Sequence, residues 1–427
     1  MRIALLTLAA LVVATPAWAC GGEAKISGDF QTGESGWGDP DTQFEVSGAA
    51  ATFKPQAGTQ AARWNAGTEL TNVDACVTIA MPENVADPAR GYAGLLFWVV
   101  DKDNFHQAVI APNGMITVAR KAGGRILPAA PITWMQSDAV QLGANAKNTL
   151  QVSTEGQNVV VRINDKEVAR FRGQPPEGAS HVGLVASSSP ADVYSWHMTD
   201  FSAGEPAVAA PVAGAETSAA ETTGAVNAPP QQQADADCGS GRVLFEDKFA
   251  DYDPMWGAKT AEVTMSGGEA EFDPAPGTPT LRWNRAFVFN DLDACASVRL
   301  AKETANPTAS YAGLLFWVKD SRNYYQAVIA PNGYFTVARI VDGKVVAKRP
   351  VEWTKLGSVK TGAKERNSLR LTVKGAEVVV AVNGKQAASF RGDPPHWPSY
   401  IGMLAASADT KKGDTWSISD LKVTAPQ

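Results

Sequence analysis

Acid–base and metal chemistry need His, Cys, Asp or Glu at set spacings, and this 427-residue chain spreads them thinly. Its four His are His106, His181, His197 and His396. No two have the spacing of a ligand pair, so no zinc site is expected. No Gly-x-Ser-x-Gly elbow and no phosphate-cradling glycine loop occurs. What the chain does hold, and holds twice, is a set of aromatic, amide and guanidinium side chains. One stretch, from Tyr92 to Arg120, reads YAGLLFWVVDKDNFHQAVIAPNGMITVAR, and from Tyr311 to Arg339 it recurs as YAGLLFWVKDSRNYYQAVIAPNGYFTVAR. Trp98, Gln107 and Arg120 thus return as Trp317, Gln326 and Arg339. Upstream, Arg63 and Trp64 return as Arg282 and Trp283.

That mixture suits sugar. Aromatic rings cover the apolar C–H side of a pyranose, while amide and guanidinium groups bind hydroxyls in fixed geometry. The residues expected to contact ligand are Trp98, Gln107, Arg120 and Arg63, with Trp317, Gln326, Arg339 and Arg282. Trp98, Gln107 and Arg120 fall on three successive antiparallel strands and are expected side by side across one sheet. An inward-packed Trp98 stays open, because GLLFWVV is apolar on both faces.

The matched acids read as structural. They are Asp74/Asp293, Asp101/Asp320 at a charged turn, and Asp200/Asp420 on the last strand. Asp stabilises turns through its own side chain. No cofactor is expected; a structural Ca²⁺ beside Asp200 or Asp420 is the alternative left open, with oxygen ligands. The His are unmatched between copies: His106 aligns with Tyr325, His181 with Tyr400, His197 with Ser417 and His396 with Glu177.

The elements that must position these groups are strands. Segments are short, rich in Val, Ile, Phe and Thr, and broken by Gly, Asn, Asp and Pro, the pattern of an all-β sandwich. Pro112-Asn113-Gly114 and Pro331-Asn332-Gly333 mark hairpins between apolar runs. From Asn367 to Phe390, Leu369, Leu371 and Val373 alternate, as do Val378, Val380 and Val382, which predicts one buried face. Asn148 to Phe171 repeats it. No amphipathic helix of three turns is predicted.

Residues 1–19 read as an export signal, with Arg2, an apolar run and Ala17-Trp18-Ala19. No later segment is long and apolar enough to span a bilayer. Repeat one is expected over 20–203, an Ala/Pro/Gln-rich flexible linker over 204–237, and repeat two over 238–427. Two mobile modules suggest bivalent engagement. Four Cys recur as two matched pairs, Cys20 with Cys238 and Cys76 with Cys295. Repeat symmetry selects Cys20–Cys76 and Cys238–Cys295 over the other pairings, and over lipidation of Cys20. Each closes a loop of roughly sixty residues, worth about 3–4 kcal/mol in the chain-entropy model. Disulfides suit an exported protein, in a bacterial periplasm or outside the cell. Net charge is −6 and Lys and Arg never cluster, which argues against nucleic-acid and polybasic membrane roles.

The combination of GLLFWVKDSRNYYQAVIAPNGYFTVARIVDGK with NSLRLTVKGAEVVVAVNGKQAASF resembles the concanavalin A-like jelly-roll superfamily. It is most similar to the laminin-G-like and family-16-glycosidase-like modules of secreted bacterial proteins, and LFEDKFADYDPMWG, from Leu244 to Gly257, resembles their first strand. The resemblance spans both repeats and implies two tandem jelly-roll β-sandwiches that bind sugar on a concave sheet or its rim. It departs at the catalytic strand. The family's alternating Glu-x-Asp-x-Glu pattern is missing, and Glu269-Ala270-Glu271-Phe272-Asp273 is expected to be a solvated strand edge. The expectation is therefore a non-catalytic, lectin-like tandem whose partner is a glycan or envelope polysaccharide. A structural or adhesion module that binds protein is the alternative, and a hydrolase with an unrecognised acidic pair a third.

Overall fold

The computed structural model describes residues 24–28, 30, 36–206, 238–302, 304, 306–407 and 413–427. The signal segment, Cys20 and nearly all of the linker lie outside them. Among the described residues every regular element is a strand, apart from one 3-10 turn, Pro254–Trp256.

Each repeat stacks an eight-stranded sheet on a seven-stranded sheet, and every strand pairing is antiparallel. In repeat one the eight-stranded sheet runs Lys166–Arg172, Asn158–Ile163, Lys147–Glu155, Asp74–Ala80, Trp196–Gly204, Ala50–Phe53, Phe44–Ser47, with Ala24–Ser27 also on Trp196–Gly204. The seven-stranded sheet runs Ile132–Gln136, Met115–Ala122, Asn104–Ile110, Tyr92–Asp101, His181–Ser187, Gln60–Trp64. Its last member, Arg125–Ile126, pairs with Met115–Ala122. The chain passes repeatedly from one sheet to the other, so the fold is a pair of jelly-roll sandwiches, as the resemblance implied.

The local chemistry accounts for the elements. In Asn367–Lys374 the buried residues alternate as predicted, and their apolar side chains fill the space between the sheets. Asn383 and Gly384 both take positive φ, 51° and 72°, as a tight two-residue hairpin requires. At Pro112-Asn113-Gly114 only Gly114 does, at 83°, while Asn113 Oδ1 accepts from Met115 N. Cys238–Cys295 is formed as repeat symmetry selected, and Cys76 is also disulfide-bonded.

The repeats are docked as well as tethered. Arg172 donates to Glu246 O at 2.9 Å and its guanidinium lies 5.4 Å from the Phe245 ring. Gln174 Oε1 accepts from Val288 N, and Arg120 Nη1 donates to Ala286 O. Ala129 and Tyr400 exchange two hydrogen bonds of 3.2 Å, and Arg125 stacks on Trp397 at 4.1 Å. Ala122 and Leu127 of repeat one join an apolar cluster otherwise drawn from repeat two. The arrangement differs from the two mobile modules the linker composition suggested, because Ala122 and Leu127 of one repeat are buried on the other.

Candidate functional site

Strand register sorts the expected ligand residues onto different faces. Leu96, Gln107 and Ala119 form one cross-strand row, and Phe97, His106 and Arg120 form the next. Successive rows point to opposite sides of a sheet. Gln107 therefore faces outward, while Arg120 lies on the side of the inter-sheet core, and the expectation that they stand side by side does not hold. Gln326 and Arg339 separate in the same way.

Trp98 is placed by a backbone irregularity. The register shifts between Phe97 and Asp101, and Trp98 sits at φ 52°, with Trp317 at 48°. Left-handed backbone is costly for a bulky residue and breaks the in–out alternation. Phe97 and Trp98 consequently both join the inter-sheet core, where Trp98 is 2% exposed. Its indole lies over Gly173, and that of Trp317 over Gly392, where a Cβ would approach to 2.7 and 2.3 Å. The inward-packed reading of Trp98 is the observed one, and this ring offers no open stacking surface.

Arg63 is a pin between sheets. It donates to Asp41 Oδ2 at 2.5 Å and covers the Phe44 ring at 5.2 Å. Arg282 donates to Thr260 Oγ1 and to Leu281 O. Both point away from the outer face, because Trp64 and Trp283, one position on, occupy it.

The outer face of the seven-stranded sheet is what the structure assembles. In repeat one, Leu96, Val109 and Val185 form its floor, with Trp64 and Tyr92 packed on it. Tyr92 donates to Gln60 Oε1 at 2.7 Å and its ring meets Trp134, 6.0 Å away and 43% exposed. Burial pushes the Tyr92 hydroxyl above its usual pKa. Gln107 is buried in the same face, and its Oε1 has no hydrogen-bond partner. Repeat two matches it with Tyr311 and Trp353 at 5.9 Å, Trp283 and Gln326. The outward rows crossing Leu96 to Gln107 and Leu315 to Gln326 contain no Asp or Glu. Of this group Gln107 and Gln326, with Trp64 and Trp283, were singled out from sequence. Tyr92, Trp134 and their counterparts carried a signal too, exact recurrence in both copies.

A second duplicated feature lies at the inward Trp. In repeat one a cleft of about 250 Å³ is lined by Trp98, Asn104, His106, Arg120, Lys121 and Gln174, among others. Its counterpart at Trp317, Tyr325, Arg339 and Asp393 measures about 80 Å³. Burial, and then the nearby Arg120 charge, push His106 well below its usual pKa, and burial lowers Arg120 to about 10, so at neutral pH His106 is neutral and Arg120 charged.

A cleft of about 780 Å³ lies between the repeats and includes Arg172, Glu246, Asp247, Tyr252 and Asp253. Burial holds the Asp253 carboxyl above its usual pKa, with Asp247 adding to the rise. Asp247 is committed elsewhere: it accepts from Phe249 N and from Trp256 Nε1 and is almost fully buried. Several other acids are tied into the fold, and Glu269 corrects the expected solvated edge: Glu269–Phe272 lies between Val263–Ser266 and Trp416–Thr424, and Glu269 pairs with Arg299 and Arg366. Asp101 accepts from Asp103 N and Asn104, Asp200 and Asp420 accept from their neighbouring hydroxyls, and Asp74 accepts from Gln151 and Ser153. Among the described residues no cluster of three or more His, Cys, Asp or Glu could hold a metal ion, and no helix is long and apolar enough to cross a membrane.

No family model and no curated protein matches the chain. Solved structures do. A carbohydrate-binding module, CBM66 from Bacillus subtilis, is 13% identical with a TM-score of 0.29, covering 39% of this chain and 90% of its own. The carbohydrate recognition domain of Emp47p is 13% identical with a TM-score of 0.34, covering 45% and 98%. A Bacillus licheniformis β-glucanase is 10% identical with a TM-score of 0.33, covering 44% and 100%.

Proposed function

We propose that this is an exported, non-catalytic tandem that binds glycan on the outer face of the seven-stranded sheet in each repeat. The chain divides into a signal peptide over 1–19, sandwiches over 20–203 and 238–427, and a linker over 204–237. The observation that carries the reading is the duplicated Trp–Tyr pair, Trp134 on Tyr92 and Trp353 on Tyr311, standing beside a buried glutamine. A half-exposed aromatic supplies the platform for a pyranose face, and the unpartnered Gln107 Oε1 supplies an acceptor for a sugar hydroxyl. The same rows offer no pair of carboxyl groups, which glycoside hydrolysis requires. Disulfide bonding supports an oxidising compartment.

The test is retention of the mature chain on an immobilised oligosaccharide array. Trp134→Ala and Trp353→Ala should each weaken retention about tenfold, and the double variant should abolish it. An array that retains nothing, or a double variant that binds like the parent, overturns the assignment.

A further inference from the structure

The two inward clefts are the same site in two states of self-occupancy. In repeat two, Arg339 Nη2 donates to Asp393 Oδ2 at 2.5 Å, and the Tyr325 hydroxyl accepts from Asp393 N. The chain's own carboxylate therefore sits against the guanidinium, and Tyr325 fills the space beside it. In repeat one the guanidinium is kept as Arg120, and the other two residues are exchanged. Gln174 stands where Asp393 stands, and His106 where Tyr325 stands. Arg120 Nη1 donates to Gln174 Oε1 at 2.5 Å and to Ala286 O at 3.2 Å, both neutral acceptors. Arg120 makes no salt bridge among the described residues. The cleft beside it is about 250 Å³, against about 80 Å³ in repeat two.

The walls carry unpartnered polar groups. Trp98 Nε1 and His106 Nε2 are buried and have no hydrogen-bond partner, and both side chains are less than a tenth exposed; Trp317 Nε1 is likewise unpartnered, so His106 Nε2 is the group peculiar to repeat one. A buried donor without an acceptor costs free energy that a ligand oxygen would recover. The other charges at the cleft are neutralised within the fold. Lys121 Nζ bonds Lys102 O and lies 3.6 Å from Asp103, and Glu177 at the rim pairs with Arg242. The uncompensated charge facing this space is Arg120. A guanidinium in a largely desolvated setting favours a planar, two-oxygen anion.

We propose that repeat one holds an anion seat, built from Arg120, Trp98 and His106, that takes the carboxylate of a small acid such as a uronic acid, and that repeat two fills the matching seat with its own Asp393. The seat does not rest on the outer-face reading, since the two lie on opposite sides of one sheet. Because Ala286 and Val288 of repeat two bond Arg120 and Gln174, repeat two also helps to hold the seat's geometry.

The experiment is calorimetric titration of the full chain with sodium glucuronate, with glucose as the neutral control at matched ionic strength. Glucuronate should bind at one site per chain, at least about tenfold tighter than glucose. Gln174→Asp should abolish that preference, by giving Arg120 an internal carboxylate as Arg339 has, and so should Arg120→Gln. Asp393→Gln combined with Tyr325→His should raise the stoichiometry from one to two. Loss of array retention in Trp134→Ala with Trp353→Ala bears on the outer face alone, and loss of the glucuronate preference in Gln174→Asp bears on the seat alone, so the two failures are distinguishable. Glucuronate binding no tighter than glucose, or unchanged in Gln174→Asp, overturns the seat. A double variant with no second site overturns the role given to Asp393.

Discussion

Gly392→Ala sets two physical effects against each other, and the structure says which wins. Gly392 does not sit in the left-handed region, so its backbone can accept alanine. On backbone grounds alone the change stabilises by about 0.4–1 kcal/mol, through a less disordered unfolded chain. The added Cβ, however, would lie 2.3 Å from Cζ3 and 2.8 Å from Cη2 of Trp317. Carbon atoms prefer roughly 3.5–4.0 Å. Trp317 is 3% exposed and packed on Phe316 and Tyr325, so moving the ring disturbs those contacts. Overpacking of this kind costs about 1–3 kcal/mol. The net expectation is a loss of about 1–2 kcal/mol, or a fall of about 2–8 °C in the transition of a sandwich this size. Scanning calorimetry of the full chain measures it. Gly173→Ala should cost less, because its Cβ would stop 2.7 Å from Trp98. Trp317→Phe removes both clashing atoms, so in that background Gly392→Ala should become neutral or stabilising. A Tm that holds or rises in the single variant would refute the reasoning.

Three further expectations follow from other parts of the molecule. Cys238→Ser with Cys295→Ser opens a link across 57 residues and should lower the stability of repeat two by roughly 4 kcal/mol, read by urea denaturation. A protease site placed within 207–237 should let the linker be cut without separating the halves on gel filtration, because the two repeats are joined by the Arg172–Glu246 and Ala129–Tyr400 bonds and by the buried Leu127; halves that elute apart would count against docking. Asp253→Asn should stabilise at pH 7 and not at pH 3. Burial raises the Asp253 carboxyl, so its stability contribution is full below the ordinary aspartate value, about 3.9, and is lost as pH rises through the raised one. Asn keeps the acceptor for Met255 N, so equal effects at both pH values would contradict this.

Much of the fold was legible because its causes are local. Alternation in Leu369, Leu371 and Val373, and Asn-Gly turns such as Asn383-Gly384, act within a few residues, and they appear as read. Duplication added information that one copy lacks. It paired Cys238 with Cys295, and it marked Trp98, Gln107 and Arg120 as worth locating. It did not say which way they point.

Which way they point is a property of register, and register belongs to the assembled sheet. One left-handed residue at Trp98 sends two successive side chains inward, and the row that holds Gln107 ends up opposite the row that holds Arg120. No periodicity in GLLFWVV announces that shift, since both faces of the strand are buried. Trp134 joins Tyr92 only because Ile132–Gln136, distant along the chain, closes the edge of the same sheet. The internal repeat, strand alternation and turn chemistry determined by themselves that the chain makes two copies of one sandwich. The tertiary structure alone decided which residues share a face and that one repeat leans on the other, because those outcomes depend on contacts between segments far apart in sequence.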